Sequence, residues 1–311
     1  MVLPVTSRLQ AILLAIVAAA AAADVAWARA ARFDVDTGAY ASLACLAVVL
    51  AAGALFYEHI RKDARLAAML SGTAFLIGMS AAFSVMNYFL LTVAGARIDG
   101  TLAAADRALG VDWPALIAVA AHHPWANLFL QLIYISVLPQ VALLLVGLGL
   151  IGDKPERIYA LCLSVAAGAG ICIAVWTIAP SFGAFSVYDV SSLHTALALD
   201  GRYAHALVGL LAHGPGHISP TDAKGLIGFP SYHAVLALLV AWHARTLPVI
   251  RWFAFGINAL VMVATPIQGG HHVVDVLAGF VVAALAILIA DSIMRAAAHA
   301  PARLKAQTAN P

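Results

Sequence analysis

Charge is what this sequence has least of. Of 311 residues only 10% are Asp, Glu, Lys or Arg, while 63% are hydrophobic; soluble domains carry about 25% charged residues. That shortage excludes a soluble globular chain. The net charge of +2 supplies no basic surface for a nucleic-acid partner. Cysteine is scarce too. Cys45, Cys162 and Cys172 lie within apolar stretches and show no metal-ligand spacing, so they read as packing residues. No internal repeat and no separate soluble domain stands out.

What the chain has instead is long apolar runs. A hydrocarbon core ~30 Å thick needs about 20 such residues per helix. Stretches of that kind predict eight helices, roughly 9–28, 38–58, 66–93, 126–151, 157–179, 231–246, 249–267 and 272–294. The sixth is short and contains two histidines. The first follows Arg8 and is Ala-rich, and its apolar run exceeds the ~7–15 residues of a signal-peptide core. It reads as an uncleaved anchor. The expected fold is therefore an all-α, polytopic integral membrane bundle without cofactor.

Basic residues predict the orientation. With the N-terminus inside, the inner loops hold Arg8, Arg61, Lys62, Arg65, Lys154, Arg157, Arg245, Arg251, Arg295, Arg303 and Lys305, eleven of the seventeen cations. The outside keeps Arg29, Arg32, Arg97, Arg107, Arg202 and Lys224. This bias obeys the positive-inside rule. It predicts a bacterial inner-membrane protein whose polar loops face the periplasm. Two stretches hold most of that outer material. Residues 94–125 include an amphipathic run, Leu102 to Leu109, suited to lying in the interface plane as a lid or lateral support. Residues 180–229 form the longest loop, rich in Gly, Pro, His and Ser.

That loop ends in Gly228-Phe229-Pro230-Ser231-Tyr232-His233, and a second motif follows at Gly269-Gly270-His271-His272-Val273-Val274-Asp275. His271 and Asp275 are four apart, on one helical face, where the carboxylate can take the imidazole N–H. Such a histidine is a candidate nucleophile, and His233 is a candidate acid partner. Both motifs open a helix, and free N–H groups at a helix N-terminus favour an anion. The combination suits a phosphate group. Intramembrane polar residues are functional candidates by default. Gln140 thus reads equally as a phosphate ligand or as a hydrogen bond across helices, and Tyr134 is a further polar residue within a span.

Pro-Ser-x-His followed about 40 residues later by His-x-x-x-Asp resembles the PAP2 superfamily of lipid phosphatases and phosphotransferases. The longer strings, Phe229 to Ala234 and Gly270 to Gly279, look most like its inositolphosphotransferase branch, which includes inositol phosphorylceramide synthases. The resemblance covers residues 66–295, a six-helix core. It leaves 1–65 as two additional helices and 296–311 as a cytoplasmic tail. It implies His271 as the nucleophile forming a phosphohistidine, Asp275 as its orienting carboxylate, His233 as general acid and Ser231 as a phosphate ligand. It also implies no metal, and a phospholipid or sphingolipid-type substrate at the outer leaflet.

Two departures matter. The superfamily's Arg six residues before the nucleophile is Thr265 here, preceded by Ala264 rather than Ser. Its first motif, a Lys and an Arg-Pro seven residues apart, is absent from Ile178 to Gly183. The phosphate's countercharge must come from elsewhere, and the long loop offers Lys224 first and Arg202 second. Similar losses mark the phosphotransferase branch. Two other functions compete: a zinc hydrolase using His233, His271, Asp275 and a loop histidine, or a lipid transporter without chemistry. His194, His205, His213 and His217 read as interfacial hydrogen-bonding residues, as do His122, His123 and His299, while His243 points to the inner face. His272 reads as a neighbour of the nucleophile.

Overall fold

A computed structural model describes residues 5–193, 195–199 and 201–308; His194 lies outside them. The described residues form twelve α-helices: α1 Val5–Ala31, α2 Thr37–Phe56, α3 Ala64–Leu90, α4 Asp99–Ala108, α5 Trp113–His122, α6 Pro124–Ile135, α7 Val137–Leu150, α8 Glu156–Ile178, α9 Gly201–His213, α10 Tyr232–Ala244, α11 Ile250–Gln268 and α12 Val273–Thr308. Six are long and apolar enough to cross a membrane, namely α1, α2 with the π-helical turn after it, α3, α8, α11 and α12. The protein is an all-α polytopic membrane bundle.

Composition alone sets most helices, and local chemistry sets their starts. Asp36, Asp63 and Asp112 each accept a backbone N–H in the first turn of α2, α3 and α5, satisfying donors that a helix start leaves unpaired. The stretch 126–151, expected as one span, is instead two helices interrupted at Ser136. Pro139 has no N–H to give the Ile135 carbonyl and its ring crowds that turn. The Ser136 hydroxyl donates to the Ile133 carbonyl at 2.7 Å within the break. At the other end, α5 and α6 meet at a 115° bend, so the chain turns sharply just before α6.

The most buried span is α8, which packs against α3, α7, α10 and α12. The short α10 lies between α8, α11 and α12. Lipid tails are as apolar as leucine, so helices in a membrane gain most from close backbone approach. At Gly279 of α12, an added Cβ would sit 2.8 Å from the Ala234 Cβ and 3.0 Å from the Ser231 carbonyl oxygen. The glycine thus lets α12 lie directly on the first turn of α10.

α1 and α2 flank α3 and are the least buried spans. A short parallel pairing joins them to the long loop: β1 Asp34–Val35 runs beside β2 His217–Ile218. The Ser219 hydroxyl donates to Asp36 at 3.1 Å, and His217 Nδ1 lies 3.0 Å from the Asp34 carboxylate. Hydrogen bonds from Ala39 N–H and the Ser219 hydroxyl lower the Asp36 pKa from its ordinary value.

Candidate active site

Three backbone segments, 181–184, 228–231 and 270–275, come together at the end of the bundle where the long loop lies. The Gly228 N–H donates to the Ser181 carbonyl at 2.9 Å, Ala184 N–H to Gly270 at 2.6 Å, and Ser231 N–H to Asp275 at 3.0 Å. No side chain fits between the second pair of strands of chain. Gly270 has φ +61, and an added Cβ would sit 2.1 Å from the Phe185 ring. Only glycine adopts that conformation at little cost and leaves the ring its room.

Helix α4 clips this seam with two carboxylates. Asp99 Oδ1 accepts from the Ser181 hydroxyl at 2.8 Å, from Phe182 N–H at 2.8 Å and from Gly183 N–H at 3.0 Å. Its other oxygen pairs with Arg97 at 2.7 Å. Two turns further along the same face, Asp106 accepts from Val273 N–H at 2.9 Å and Val274 N–H at 3.0 Å. Asp106 therefore caps α12, in place of any residue of its own sequence neighbourhood. This corrects one expectation: the first-turn N–H groups of α12 are not free for a phosphate, because a carboxylate already holds them.

The histidines stand on this frame. His271 Nδ1 lies 2.9 Å from the Gly228 carbonyl oxygen and 3.3 Å from Asp275 Oδ2. The nearer acceptor is thus a backbone carbonyl, with the carboxylate second. With the proton on Nδ1, Nε2 carries the lone pair, and it faces the Ser231 hydroxyl at 3.3 Å. Ser231 also N-caps α10 by accepting from Ala234 N–H. Burial pushes the His271 pKa down to about 4, opposed by the hydrogen bond to Gly228. The ring therefore stays neutral near pH 7. Asp275 Oδ2 also takes His272 N–H at 2.8 Å, while its Oδ1 is buried without a hydrogen bond.

His233, partly exposed in the first turn of α10, stacks on Tyr134 with ring centroids 4.3 Å apart. The Tyr134 hydroxyl and His233 Nδ1 are 3.4 Å apart. The His233 and His271 rings are 6.5 Å apart, centroid to centroid, and tilted by 55°.

Ser231, His233, His271 and Asp275 are thus brought together. The remaining candidates are not seen among these contacts. Lys224 is exposed, and its backbone N–H donates to the Tyr88 hydroxyl at 2.7 Å. Arg202 is exposed at the start of α9. Gln140 donates to the Ser136 hydroxyl and accepts from Asn258 of α11 at 2.8 Å. His272 is buried, with Nδ1 3.5 Å from Asp106. Among the described residues, no three His, Cys, Asp or Glu side chains converge as metal ligands.

Sequence reasoning missed Asp99 and Asp106. Their signal was present: with Leu102 and Ala103 they occupy positions i, i+3, i+4 and i+7 of one helix face, and all four are buried. Acidic residues on the apolar face of an amphipathic helix need partners. Two more anchors also went unread. The Trp113 indole donates to the Pro266 carbonyl at 2.9 Å, and Gln268 donates to Asn127 Oδ1 at 2.6 Å. Both steady the approach to Gly269-Gly270.

A family model described as the PAP2 superfamily matches residues 100–289, from α4 into the first half of α12. No curated protein and no solved structure gives a significant match.

Proposed function

Because the chain belongs to the PAP2 superfamily, we propose that it is a membrane phosphatase or phosphotransferase in which His271 carries the phosphoryl group of a lipid. The observation that carries this reading is the state of the His271 ring. Its Nδ1 is engaged by Gly228 and Asp275, and its Nε2 is directed at Ser231 beside His233.

In the first step Nε2 attacks phosphorus and the bond to the leaving alkoxide breaks. His233 supplies the proton that the alkoxide takes. A phosphate dianion in the gap favours the charged form of His233. That ring then donates from Nδ1 to the Tyr134 oxygen and from Nε2 to the leaving group. In the second step water or another hydroxyl attacks phosphorus, the bond from phosphorus to His271 Nε2 breaks and returns its electron pair to the ring, and His233 takes the attacking hydroxyl's proton. Ser231 contributes a hydroxyl to the phosphate. The countercharge falls to Lys224 first and Arg202 second, both on the segment that leads into Ser231. Gln140 acts structurally, as its hydrogen bonds to Asn258 and Ser136 support.

The positive-inside bias supports an outer-leaflet site, and the strings around both motifs support the inositolphosphotransferase branch with a phospholipid or sphingolipid-type donor. Incubating purified protein with lipids labelled at phosphorus tests the chemistry. Acid-labile label should reside on His271 and vanish in His271→Asn. Labelled product appearing without any protein-bound phosphate would refute the phosphohistidine. Adding inositol separates the branches: transfer to inositol marks a phosphotransferase, and free phosphate alone marks a phosphatase. Full activity in chelator is expected, and its loss would favour the zinc alternative.

A further inference from the structure

A second cavity shares no lining residue with the His233–His271 site. It is a cleft of about 840 Å³ between α1, α2 and α3, within the ~300–1,000 Å³ range of small-ligand pockets. Its walls are apolar and small, with Val17 and Ala21 on one side and Ala44 and Ala47 on the other. Polar residues, Arg29 and His59 among them, interrupt that lining, and Asp24 is the buried carboxylate of the set. Asp24 lies seven residues before the end of α1, about 10 Å along the helix from it. It is 93% buried, lines the cleft, and its Oδ1 has no hydrogen-bond partner. The Tyr40 hydroxyl of α2, close to Asp24 and Ser84, also lines the cleft and makes no hydrogen bond of acceptable geometry. An unpartnered carboxyl oxygen inside a membrane domain is costly and marks a missing donor.

We propose that this cleft is a lipid-binding site, separate from the catalytic histidines. An acyl chain lies along α1 and α2, and a hydrogen-bond donor at the polar end of the lipid meets Asp24 and Tyr40. The chemistry demanded is a hydroxyl or an ammonium N–H within reach of the chain. A fully methylated headgroup such as that of phosphatidylcholine has no such donor. The depth of Asp24 fits the level where chains meet the polar part of a lipid. The site lies beside the β1–β2 pairing, so its occupant also rests against the segment tied to the long loop.

The test uses full-length protein in vesicles doped with lipids carrying a photoreactive acyl chain, with cross-links mapped by mass spectrometry. Three probes are compared: diacylglycerol (hydroxyl donor), phosphatidylethanolamine (ammonium donor) and phosphatidylcholine (no donor). Donor lipids should label Val17, Ala21, Ala44 and Ala47 roughly tenfold more than phosphatidylcholine, the weight of one hydrogen bond to a carboxylate. The preferred arm identifies the donor. Asp24→Leu should abolish that preference, and Ala47→Phe should lower cleft labelling by all three probes, with both variants keeping phosphoryl turnover. Labelling spread evenly over outward residues such as Val281 and Leu288, or a preference unchanged in Asp24→Leu, would overturn the proposal. Failure of the histidine mechanism would leave it standing, since the cross-linking pattern does not depend on phosphoryl transfer.

Discussion

Replacing Asp106 should disable the enzyme without unfolding it. Each of its oxygens holds one backbone N–H of α12, at Val273 and Val274. Asp106→Ala removes an N-cap, a loss worth about 0.5–2 kcal/mol. It also leaves two partly buried donors, each costing about 1 kcal/mol at the lower end of the usual range because water can reach them in part. The total is about 2–4 kcal/mol, below the ~5–15 kcal/mol by which domains are stable. The folded protein should therefore persist with a lower unfolding midpoint in detergent. His271 is two residues upstream, and a shift near 1 Å in a reacting group costs on the order of 10²-fold in rate. We expect kcat to fall by that order and KM to change little, because the carboxylate touches no substrate. Asp106→Asn should be nearly as damaging, since Val273 and Val274 N–H bond different carboxylate oxygens and the amide replaces one of those acceptors with a donor. Wild-type kcat and midpoint in both variants would refute the claim that α4 positions the nucleophile.

Gly270→Ala should cost about 1–2 kcal/mol for the left-handed backbone and a further ~1–3 kcal/mol for crowding against Phe185. Activity and midpoint should fall together, and an alanine variant as stable as wild type would contradict the backbone seam. Burial holds His271 neutral down to about pH 4, below an unfolded value near 6.5. The unfolded chain binds that proton first, so this ring's contribution is intact above pH 6.5 and is lost as pH falls towards 4. His271→Asn should flatten the pH dependence of stability across that window by about one proton; an unchanged slope would mean the ring is open to solvent. Lys224→Ala should raise KM more than it lowers kcat, with Arg202→Ala a weaker version, and equal losses in kcat alone would remove both from the phosphate's surroundings.

Much of this architecture was written in composition, because a bilayer demands long apolar helices and little else satisfies it. The four central site residues were legible for a related reason. Ser231 and His233 open α10 as spacing suggested, whereas His271 lies two residues before α12 and meets Asp275 from the preceding turn rather than from a shared helical face. What spacing could not show is what holds those elements together. Asp106 caps a helix 167 positions away in sequence, and no window of neighbouring residues reveals such a partner. The break at Ser136 was missed for the opposite reason. Hydropathy runs smoothly through it, and only Pro139 interrupts the hydrogen bonding. The Gly228 carbonyl as the nearer acceptor of the His271 proton was equally invisible, since carbonyls are the same at every position.

The backbone seam has a consequence for how the enzyme comes into being. Its strands of chain are supplied by residues 99–106, 181–184, 228–231 and 270–275, and chains are made from the N-terminus. α4 emerges early with Asp99 and Asp106 lacking their partners. The 181–184 turn satisfies the first carboxylate, and the second waits until α12 has been synthesised. His271 and the first turn of α12 are therefore the last parts of this seam to be made. A chain interrupted before residue 270 carries Ser231 and His233 but lacks His271 and the backbone N–H groups that Asp106 caps.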